Sequence, residues 1–366
     1  MDQIQVYRLS ADDLQTAVSR LMDTDKQVVA PVRAPRGDIF FQPVDSVSDI
    51  EFDYGNTQIS PVEFLKPSKE IYFEYERGKE GKPKISPPPS PTPRILLGIR
   101  PCDVAAIEFL DHFFLKREPI DALYRARRES VTLVAMACEH PAADTCFCTC
   151  CEGGGPVAES GFDIQLSRVE DDYLVEVATE KGEQIREIWE DLLEPAGEDL
   201  VQARDDHAEK IREEEFEPTS NLAAAIRRVS ADKVSKDTWQ EVAKDCYSCG
   251  GCSFVCPVCT CFDVNDQQHD EEHGARVRQT DSCRLWGYPR EAAGGVRGFT
   301  TAYRARMYAH HKLGYSHFRE RGRYGCVGCG RCIMACLGHM GMPTVCTHVR
   351  RSQPHAEEDE QQAKTG

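Results

Sequence analysis

Hydrophobic and polar positions in the first half of the chain follow the periods of strands and helices. Residues 71–76 alternate apolar and polar side chains and predict a strand. The apolar runs 94–100 and 130–138 predict two buried strands, and residues 104–114 between them predict an amphipathic helix. Alternation on both sides of a polar turn over 162–178 predicts a β-hairpin.

Capped, proline-rich and strongly charged stretches make up the remainder. Ser10 precedes a helical pattern over residues 10–23 and is expected to cap that helix. Residues 78–94 combine proline, glycine and charge, which favours an exposed loop. From residue 182 to 243 the pattern is mostly helical. Residues 351–366 hold almost no apolar side chain, which predicts a disordered tail.

Composition limits the classes of function. The 366 residues carry a net charge of −17 and contain no apolar run long enough for a membrane span. Binding to nucleic acid is not expected, because phosphate contacts need Lys and Arg. The N-terminus lacks the features of a signal peptide, so the 18 cysteines are expected to lie in the cytoplasm, where thiols stay reduced. Clustered thiols there indicate metal binding rather than disulfides.

Positive charge is concentrated in one segment. Residues 276–331 contain twelve Lys and Arg against three acidic residues, a local charge of +9 in an acidic chain. Within this segment Arg304, Tyr308 and Lys312 recur at intervals of four residues and share one face of a predicted helix. Two interpretations stay open: a solvated face, or a basic surface that docks an acidic partner or screens anionic metal clusters.

Two cysteine motifs share the spacing C-x2-C-x2-C-x3-C. The first motif is Cys246, Cys249, Cys252 and Cys256, and the second motif is Cys326, Cys329, Cys332 and Cys336. This repeat is typical of proteins with two 4Fe-4S clusters, in which the fourth cysteine of each motif ligates the cluster of the other. The alternative, structural zinc, usually takes two separated pairs of ligands.

The crossing rule assigns the ligands. The first cluster is predicted to bind Cys246, Cys249, Cys252 and Cys336. The second cluster is predicted to bind Cys326, Cys329, Cys332 and Cys256. Glycines in both motifs permit the tight backbone that a loop around a cluster requires. Leu337 stands where the repeat usually has proline after the last cysteine, which leaves the turn, not the ligand, in question.

A family resemblance follows from these motifs and from the segments "DSCRLWG", "YRARMYAHHKLGY" and "GCVGCGRCI". Over roughly residues 94–342 the chain resembles the iron–sulfur beta subunits of cytoplasmic NAD(P)-linked nickel–iron hydrogenases, the sulfhydrogenases. The same family includes an iron–sulfur component of anaerobic sulfite reductase and related partners of heterodisulfide reductase. The resemblance implies a protein that carries electrons between flavin and terminal catalytic subunits.

An α+β fold with two domains and a tail is expected. Residues 1–220 are predicted to form a mixed α/β domain with a site for an extra cluster. Residues 221–350 are predicted to form a mostly helical, ferredoxin-like 4Fe-4S dicluster domain with a long insert between the cysteine motifs. Residues 351–366 are the predicted tail.

Seven further cysteines are candidate cofactor ligands. Cys102 and Cys138 end two predicted strands, and strand ends that meet at one sheet edge would bring them to Cys146 and Cys148. Two interpretations of these four cysteines stay open: they bind a third iron–sulfur cluster, or they are redox-inert thiols or zinc ligands. The roles of Cys259, Cys261 and Cys283 stay open between a further centre, tuning of the first cluster and simple burial, and free cysteine is often buried.

Two adjacent cysteines follow this upstream group. Cys150 and Cys151 are too close in sequence for both to ligate one cubane, so at most one is expected to act as a substitute ligand. Lone histidines such as His310, His311 and His339 are expected to be ordinary residues rather than ligands.

Motifs for substrate or nucleotide binding are absent from the sequence. The glycine-rich stretches do not have the spacing of a dinucleotide-binding turn, and there is no phosphate-binding loop. We therefore expect a non-catalytic electron-transfer subunit. Its expected partners are an NAD(P)H-linked flavin subunit together with a catalytic subunit, a nickel–iron hydrogenase first and a siroheme sulfite or sulfur reductase or a heterodisulfide-reductase-linked system as the alternative.

Overall fold

The computed structural model describes residues 4–78, 82–151, 153–215, 222–291, 294–295, 300–316 and 323–352. Its strands are β1 (Gln5–Ser10), β2 (Gln27–Arg33), β3 (Ile39–Pro43), β4 (Lys69–Arg77), β5 (Pro83–Ser86), β6 (Arg94–Ile99), β7 (Val131–Met136), β8 (Ile164–Val169), β9 (Asp172–Val177), β10 (Leu193–Pro195), β11 (Phe262–Gln268) and β12 (His273–Thr280). Its helices are α1 (Leu14–Met22), α2 (Pro101–Leu115), α3 (Ala122–Ser130), α4 (Glu180–Ile188), α5 (Glu198–Lys210), α6 (Leu222–Ser230), α7 (Lys236–Lys244), α8 (Gly251–Phe254), α9 (Thr301–Leu313), α10 (Arg331–Met334) and α11 (Met342–Arg351).

The first sheet has eight strands in the order β10-β1-β9-β8-β7-β6-β2-β3. Its centre is parallel, because β6 pairs with β2 and β7, and β7 pairs with β8. These central strands are buried along nearly their whole length, as expected for parallel strands covered on both faces. Helix α2 follows β6 on one face, and α1 and α4 pack on the other. The carboxyl ends of β6 and β7 therefore share one sheet edge.

The second sheet joins distant parts of the chain. Its antiparallel order is β11-β12-β4-β5, so the hairpin between the two cysteine motifs pairs with strands that precede residue 90. Buried Arg278 of β12 fixes this junction through ion pairs with Glu70 of β4 and with Asp121. The two predicted domains thus share a β-sheet, and their predicted division stays a prediction.

The helices of the second half surround the two motifs. Helices α6, α7, α9 and α11 pack around a core that includes Trp239, Tyr308 and Val345. Short helices α8 and α10 each begin inside a motif. The predicted α+β class, with an N-terminal sheet region and a helical cluster region, is confirmed.

Most predicted elements are present, with two informative differences. The described part of the proline-rich segment, residues 82–94, is mostly exposed as expected. Within it, Pro83–Ser86 forms an edge strand, because its backbone can pair with β4 while all its side chains stay in solvent. Helix α2 begins at Pro101, earlier than predicted, since proline is well suited to the first helical position. Cys102 therefore lies in the first turn of a helix, not at a strand end.

Some predictions lie partly outside the described residues. The predicted domain boundary at 220 falls within 216–221, and the predicted tail falls within 353–366 except for its first two residues. Ser10 caps the first turn as expected, accepting a hydrogen bond from the backbone N–H of Asp12. No helix among the described residues is long and apolar enough to cross a bilayer.

Candidate metal centres

The two cysteine motifs adopt the same backbone conformation. Ser248 and Gly328 occupy corresponding positions and have φ angles of 54° and 65°. Gly250 and Gly330 also correspond, with φ angles of 78° and 77°, and each precedes a four-residue helix. These left-handed residues turn the chain sharply, so that consecutive cysteines of one loop can surround a common centre.

The second motif is held against the loop that carries the upstream cysteines. A Cβ on Gly328 would lie 2.5 Å from the Cα of Cys148, and one on Gly330 would lie 2.5 Å from the carbonyl oxygen of Thr145. The backbone N–H of Phe147 donates a hydrogen bond of 2.8 Å to the carbonyl oxygen of Gly328. Glycine is required at both positions because no side chain fits between the two loops.

The thiols of the second motif gather with the fourth cysteine of the first motif. Cys256 interacts electrostatically with Cys326, and Cys332 interacts with Cys326, Cys329 and Cys256. Burial raises the pKa of Cys329 to about 12. Burial also raises the pKa values of Cys256 and Cys332, so these three thiols are neutral without metal, and metal binding would displace their protons. This grouping is the one that the crossing rule predicts for the second cluster.

The first motif approaches the end of the second. Cys252 interacts electrostatically with Cys246, and burial raises the pKa of Cys252 to about 11. A Cβ on Gly251 would lie 3.5 Å from the carbonyl oxygen of Ala335, the residue before Cys336. The end of the second motif at Ala335 thus lies beside the first motif, while Cys256 interacts with Cys252 of the first motif and with Cys326 of the second.

Backbone N–H groups donate hydrogen bonds to cysteine sulfurs of both motifs. Loops that bind anionic clusters need such donors. The N–H of Ser248 donates to Cys246 Sγ at 3.3 Å, and that of Met340 donates to Cys336 Sγ at 3.2 Å. Such donors stabilise thiolate and cluster sulfur. The loops fit a pair of 4Fe-4S clusters in their donor set, their backbone and their charge.

Buried cations accompany both groups. Arg284 donates a hydrogen bond from Nη2 to Cys246 Sγ. Burial would lower the pKa of Lys312, but the thiolates of Cys256, Cys259 and Cys326 raise it above its ordinary value. Within the described residues, no carboxylate forms an ion pair with Lys312. Its charge is balanced by sulfur alone.

The basic face of α9 is directed inward. Arg304, Tyr308 and Lys312 are each 5% exposed or less, so the interpretation as a solvated face is wrong. The physical reason is that anionic sulfur lies beneath this face. The interpretation that these side chains screen the charge of anionic clusters remains. Their burial excludes the interpretation that they dock an acidic partner.

The upstream cysteines converge at the shared edge of β6 and β7. The thiol of Cys148 interacts electrostatically with Cys138 and Cys146, and that of Cys102 interacts with Cys148. The structure thus brings all four predicted residues into one neighbourhood. Burial dominates the raised pKa values of these thiols, including about 11 for Cys146.

A buried arginine lies beside this upstream group. Arg100 interacts with Cys138 and Cys102, and its Nε has no hydrogen-bond partner among the described residues. It forms no ion pair with a carboxylate in the described part of the chain. A buried cation with an unused donor suits an anionic iron–sulfur cluster in this position.

Cys151 belongs with the second motif. It is 1% exposed, and a side-chain hydrogen bond from it is the largest cause of the lowered pKa of Cys326, about 7. Cys151 is thus placed as a hydrogen-bond donor to a cluster ligand. Cys150 is only half-buried.

Cys259, Cys261 and Cys283 form a separate group. Cys261 shares side-chain hydrogen bonds with both other thiols, and all three are buried. His311 of α9 reaches the same place: one of its ring nitrogens and the sulfurs of Cys261 and Cys283 all lie within 4.8 Å of one another.

Comparison with known proteins agrees with the geometry of the two motifs. Residues 245–340 match the 4Fe-4S dicluster domain. Four upstream cysteines and the strands β4 and β5 lie outside the matched residues of this dicluster domain, although both contact it.

The chain is also similar to a curated relative over most of its length. Sulfhydrogenase 2 subunit beta of Pyrococcus furiosus is 28% identical over 316 residues, which cover 85% of this chain and 88% of the relative. The resemblance to hydrogenase beta subunits is confirmed. The prediction of an iron–sulfur electron-transfer protein is also confirmed. The individual ligands, the number of clusters and the partners stay predictions.

Sequence reasoning missed several residues around these centres. Asp103 and Arg284 contact the motifs or their ligands, yet no spacing rule connects them with the motifs. Cys151 was expected at most as a substitute ligand, not as a hydrogen-bonding neighbour of Cys326. For Asp103 and Arg284 the only available signal is position: each follows a cysteine directly.

Proposed function

We propose that the chain relays electrons between an NAD(P)H-linked flavin subunit on one side and a catalytic subunit on the other, with a nickel–iron hydrogenase as the first candidate. The relative is named as part of a sulfhydrogenase, which supports this choice of partner. The upstream site would be the third centre, and the dicluster domain would provide the other two.

Continuity between the upstream site and the second motif carries this proposal. Phe147, between Cys146 and Cys148, hydrogen-bonds to Gly328 between Cys326 and Cys329. The thiol of Cys102 also interacts with that of Cys329. The described residues of the two sites are therefore in direct contact, which supports a relay.

The dicluster domain continues the path toward the surface. In this proposal Cys256 is the fourth ligand of the second cluster and Cys336 is the fourth ligand of the first cluster. Each motif is therefore bonded to both clusters. A 4Fe-4S cluster, when bound, supplies reversible one-electron transfer. The protein supplies buried cations at the second centre and hydrogen-bond donors at both, and these set how readily each centre accepts an electron.

The first motif lies at an exposed end of this path. Cys249 is exposed, and Tyr247 and Leu337 beside the motif are 74% and 82% exposed. The ring of Tyr247 lies against Gly338, next to Leu337, so the two side chains form one apolar surface. Large exposed apolar side chains next to a redox centre suit a docking surface for a partner subunit.

Replacing Leu337 by glutamate is expected to weaken partner docking by about tenfold or more, since an apolar anchor at an interface centre contributes about 2 kcal/mol. The assembled complex should lose NAD(P)H-dependent electron transfer while the EPR signals of the clusters stay unchanged. Ile85→Glu is the matched control, because Ile85 is an exposed apolar residue on the edge strand β5.

Equal rates for the two variants would contradict this docking surface. Co-purification of the tagged wild-type chain tests the function itself. Retention of flavin and nickel–iron subunits is expected. A siroheme subunit in place of the latter would favour a sulfite reductase, and recovery of the chain alone would contradict a relay subunit.

If the chain binds a third cluster, the anaerobically purified protein should contain about twelve irons and about twelve acid-labile sulfides in cubane clusters per chain, since each cubane holds about four irons and four sulfides. Cys138→Ser should lower both numbers by about four. Cys150→Ser should lower neither, since Cys150 is not among the proposed ligands. About eight sulfides in the wild-type chain would contradict the third cluster.

A further inference from the structure

The group formed by Cys259, Cys261, Cys283 and His311 contains none of the predicted ligands of the three clusters, although Cys259 adjoins Cys256. Cys259 and Cys261 lie between α8 and β11, Cys283 follows β12, and His311 belongs to α9. The backbone N–H of Asp281 donates to the carbonyl oxygen of Cys261 at 3.2 Å, which fixes the Cys283 segment beside the Cys261 segment. Three separate parts of the chain thus bring soft ligand atoms together.

The spacing of three of these ligand atoms matches one metal ion, and Cys259 joins them through its side-chain hydrogen bond with Cys261. The sulfurs of Cys261 and Cys283 and a ring nitrogen of His311 all lie within 4.8 Å of one another. Around a tetrahedral zinc ion with Zn–S bonds of about 2.3 Å, neighbouring sulfurs lie about 3.8 Å apart. A cubane instead binds each cysteine at a different iron, so its ligating sulfurs lie farther apart. Direct hydrogen bonds between the thiols therefore favour a single ion.

We propose that Cys261, Cys283 and exposed His311, with Cys259 as the fourth ligand beside Cys261, bind a single divalent ion of the zinc class, Zn²⁺ or Fe²⁺, between the β11–β12 hairpin and α9. Three thiolates and one imidazole form a common ligand set for such ions in structural sites. The ion's task is to hold α9 against the clusters.

The surroundings suit an anionic site. Lys66 and Lys312 both interact electrostatically with Cys259, and Lys66 also interacts with Cys261. Three thiolates around a divalent ion leave one negative charge, which these lysines offset. Tyr288 shares a side-chain hydrogen bond with Cys261 and supports its orientation. Outer contacts of this kind hold metal ligands in place.

The position of the site gives the ion a structural consequence. Lys312, whose charge lies beside the second cluster's ligands, directly follows His311 on α9. Cys259 is one turn beyond Cys256, and its N–H donates to the carbonyl oxygen of Cys256 at 3.1 Å. Loss of the ion would therefore loosen both a cluster ligand's turn and the helix that carries the balancing cation.

Elemental analysis of the anaerobically purified full chain tests this site. We expect about one zinc per chain, with X-ray absorption at the zinc edge showing about three sulfurs at about 2.3 Å and one nitrogen at about 2.0 Å. Cys283→Ser and His311→Ala should each lower zinc severalfold, while acid-labile sulfide stays at the wild-type level. Binding of iron instead would appear as loss of one iron without loss of sulfide, and this result would also support the site.

His310→Ala is the matched control on the same helix, because the His310 ring faces Trp239 instead of the thiols. It should leave zinc and iron unchanged. Loss of about four irons and four sulfides in Cys283→Ser, with His311→Ala unchanged, would indicate a cubane and overturn the proposal. A wild-type chain without zinc, with a metal content that Cys283→Ser does not alter, would overturn it as well.

Discussion

Replacing Asp103 by alanine is expected to destabilise the chain by about 3–5 kcal/mol, the cost typical of leaving one member of a buried ion pair without its partner. Asp103 accepts two hydrogen bonds from Arg331, at 2.7 and 3.0 Å, and both side chains are almost completely buried. Ser60 Oγ also donates to Asp103 Oδ1, at 2.6 Å. In the variant the buried guanidinium group of Arg331 would have no carboxylate partner between α2 and the second motif.

Urea unfolding under anaerobic conditions measures this loss of stability. The midpoint is followed by far-UV circular dichroism and by iron–sulfur absorbance. Asp232→Ala is the control, because Asp232 pairs with Arg306 at 2.8 Å on the surface, where such pairs contribute about 0–1 kcal/mol. A double variant, Asp103→Leu with Arg331→Met, should recover much of the stability. Equal midpoints for Asp103→Ala and Asp232→Ala would show that the buried pair does not stabilise the junction.

Cys336→Ser is expected to alter the cluster of the first motif, although Cys336 belongs to the second motif in sequence. Cys256→Ser should alter the cluster of the second motif. The physical reason is the exchange of fourth ligands, which the contacts of Cys256 with Cys326 and of Gly251 with Ala335 support. EPR of the reduced chain should therefore group Cys336→Ser with Cys252→Ser, and Cys256→Ser with Cys332→Ser. Where a cluster is lost, iron should fall by about four per chain.

Cys346→Ser is the control for these variants, because Cys346 is a buried cysteine of α11 outside both ligand sets. Its spectrum should match the wild type. If Cys336→Ser instead altered the same signal as Cys332→Ser, each motif would hold its own cluster and the exchange would be wrong.

Sequence alone predicted the features that depend on local spacing. The repeat of the two motifs indicated the cluster sites, and apolar runs indicated β6, β7 and α2. These signals are readable because each lies within about a dozen neighbouring residues. The convergence of Cys102 and Cys138 also followed from sequence, since adjacent parallel strands end at one edge.

Features that depend on contacts between distant segments were not predictable. Cys261, Cys283 and His311 come from three segments with no common spacing, so nothing in the sequence joins them. The pairing of β12 with β4 is equally non-local. The burial of the α9 face could not be decided from sequence for another reason: a row of polar and basic residues normally faces water, and here anionic sulfur takes the place of water.

The burial of Lys312 has a consequence for the maturation of the protein. Only sulfur ligands balance its charge in the described structure, and an ammonium group without a counterion is costly to bury. Before cofactor insertion, the raised pKa values of Cys256 and Cys259 would keep these two thiols neutral and leave that charge only partly compensated. Docking of α9 would then be unfavourable, and the entrance to the second centre would stay open for iron delivery. Insertion of the anionic cluster would itself close the helix over the finished centre, so that folding and cofactor loading are completed in one step.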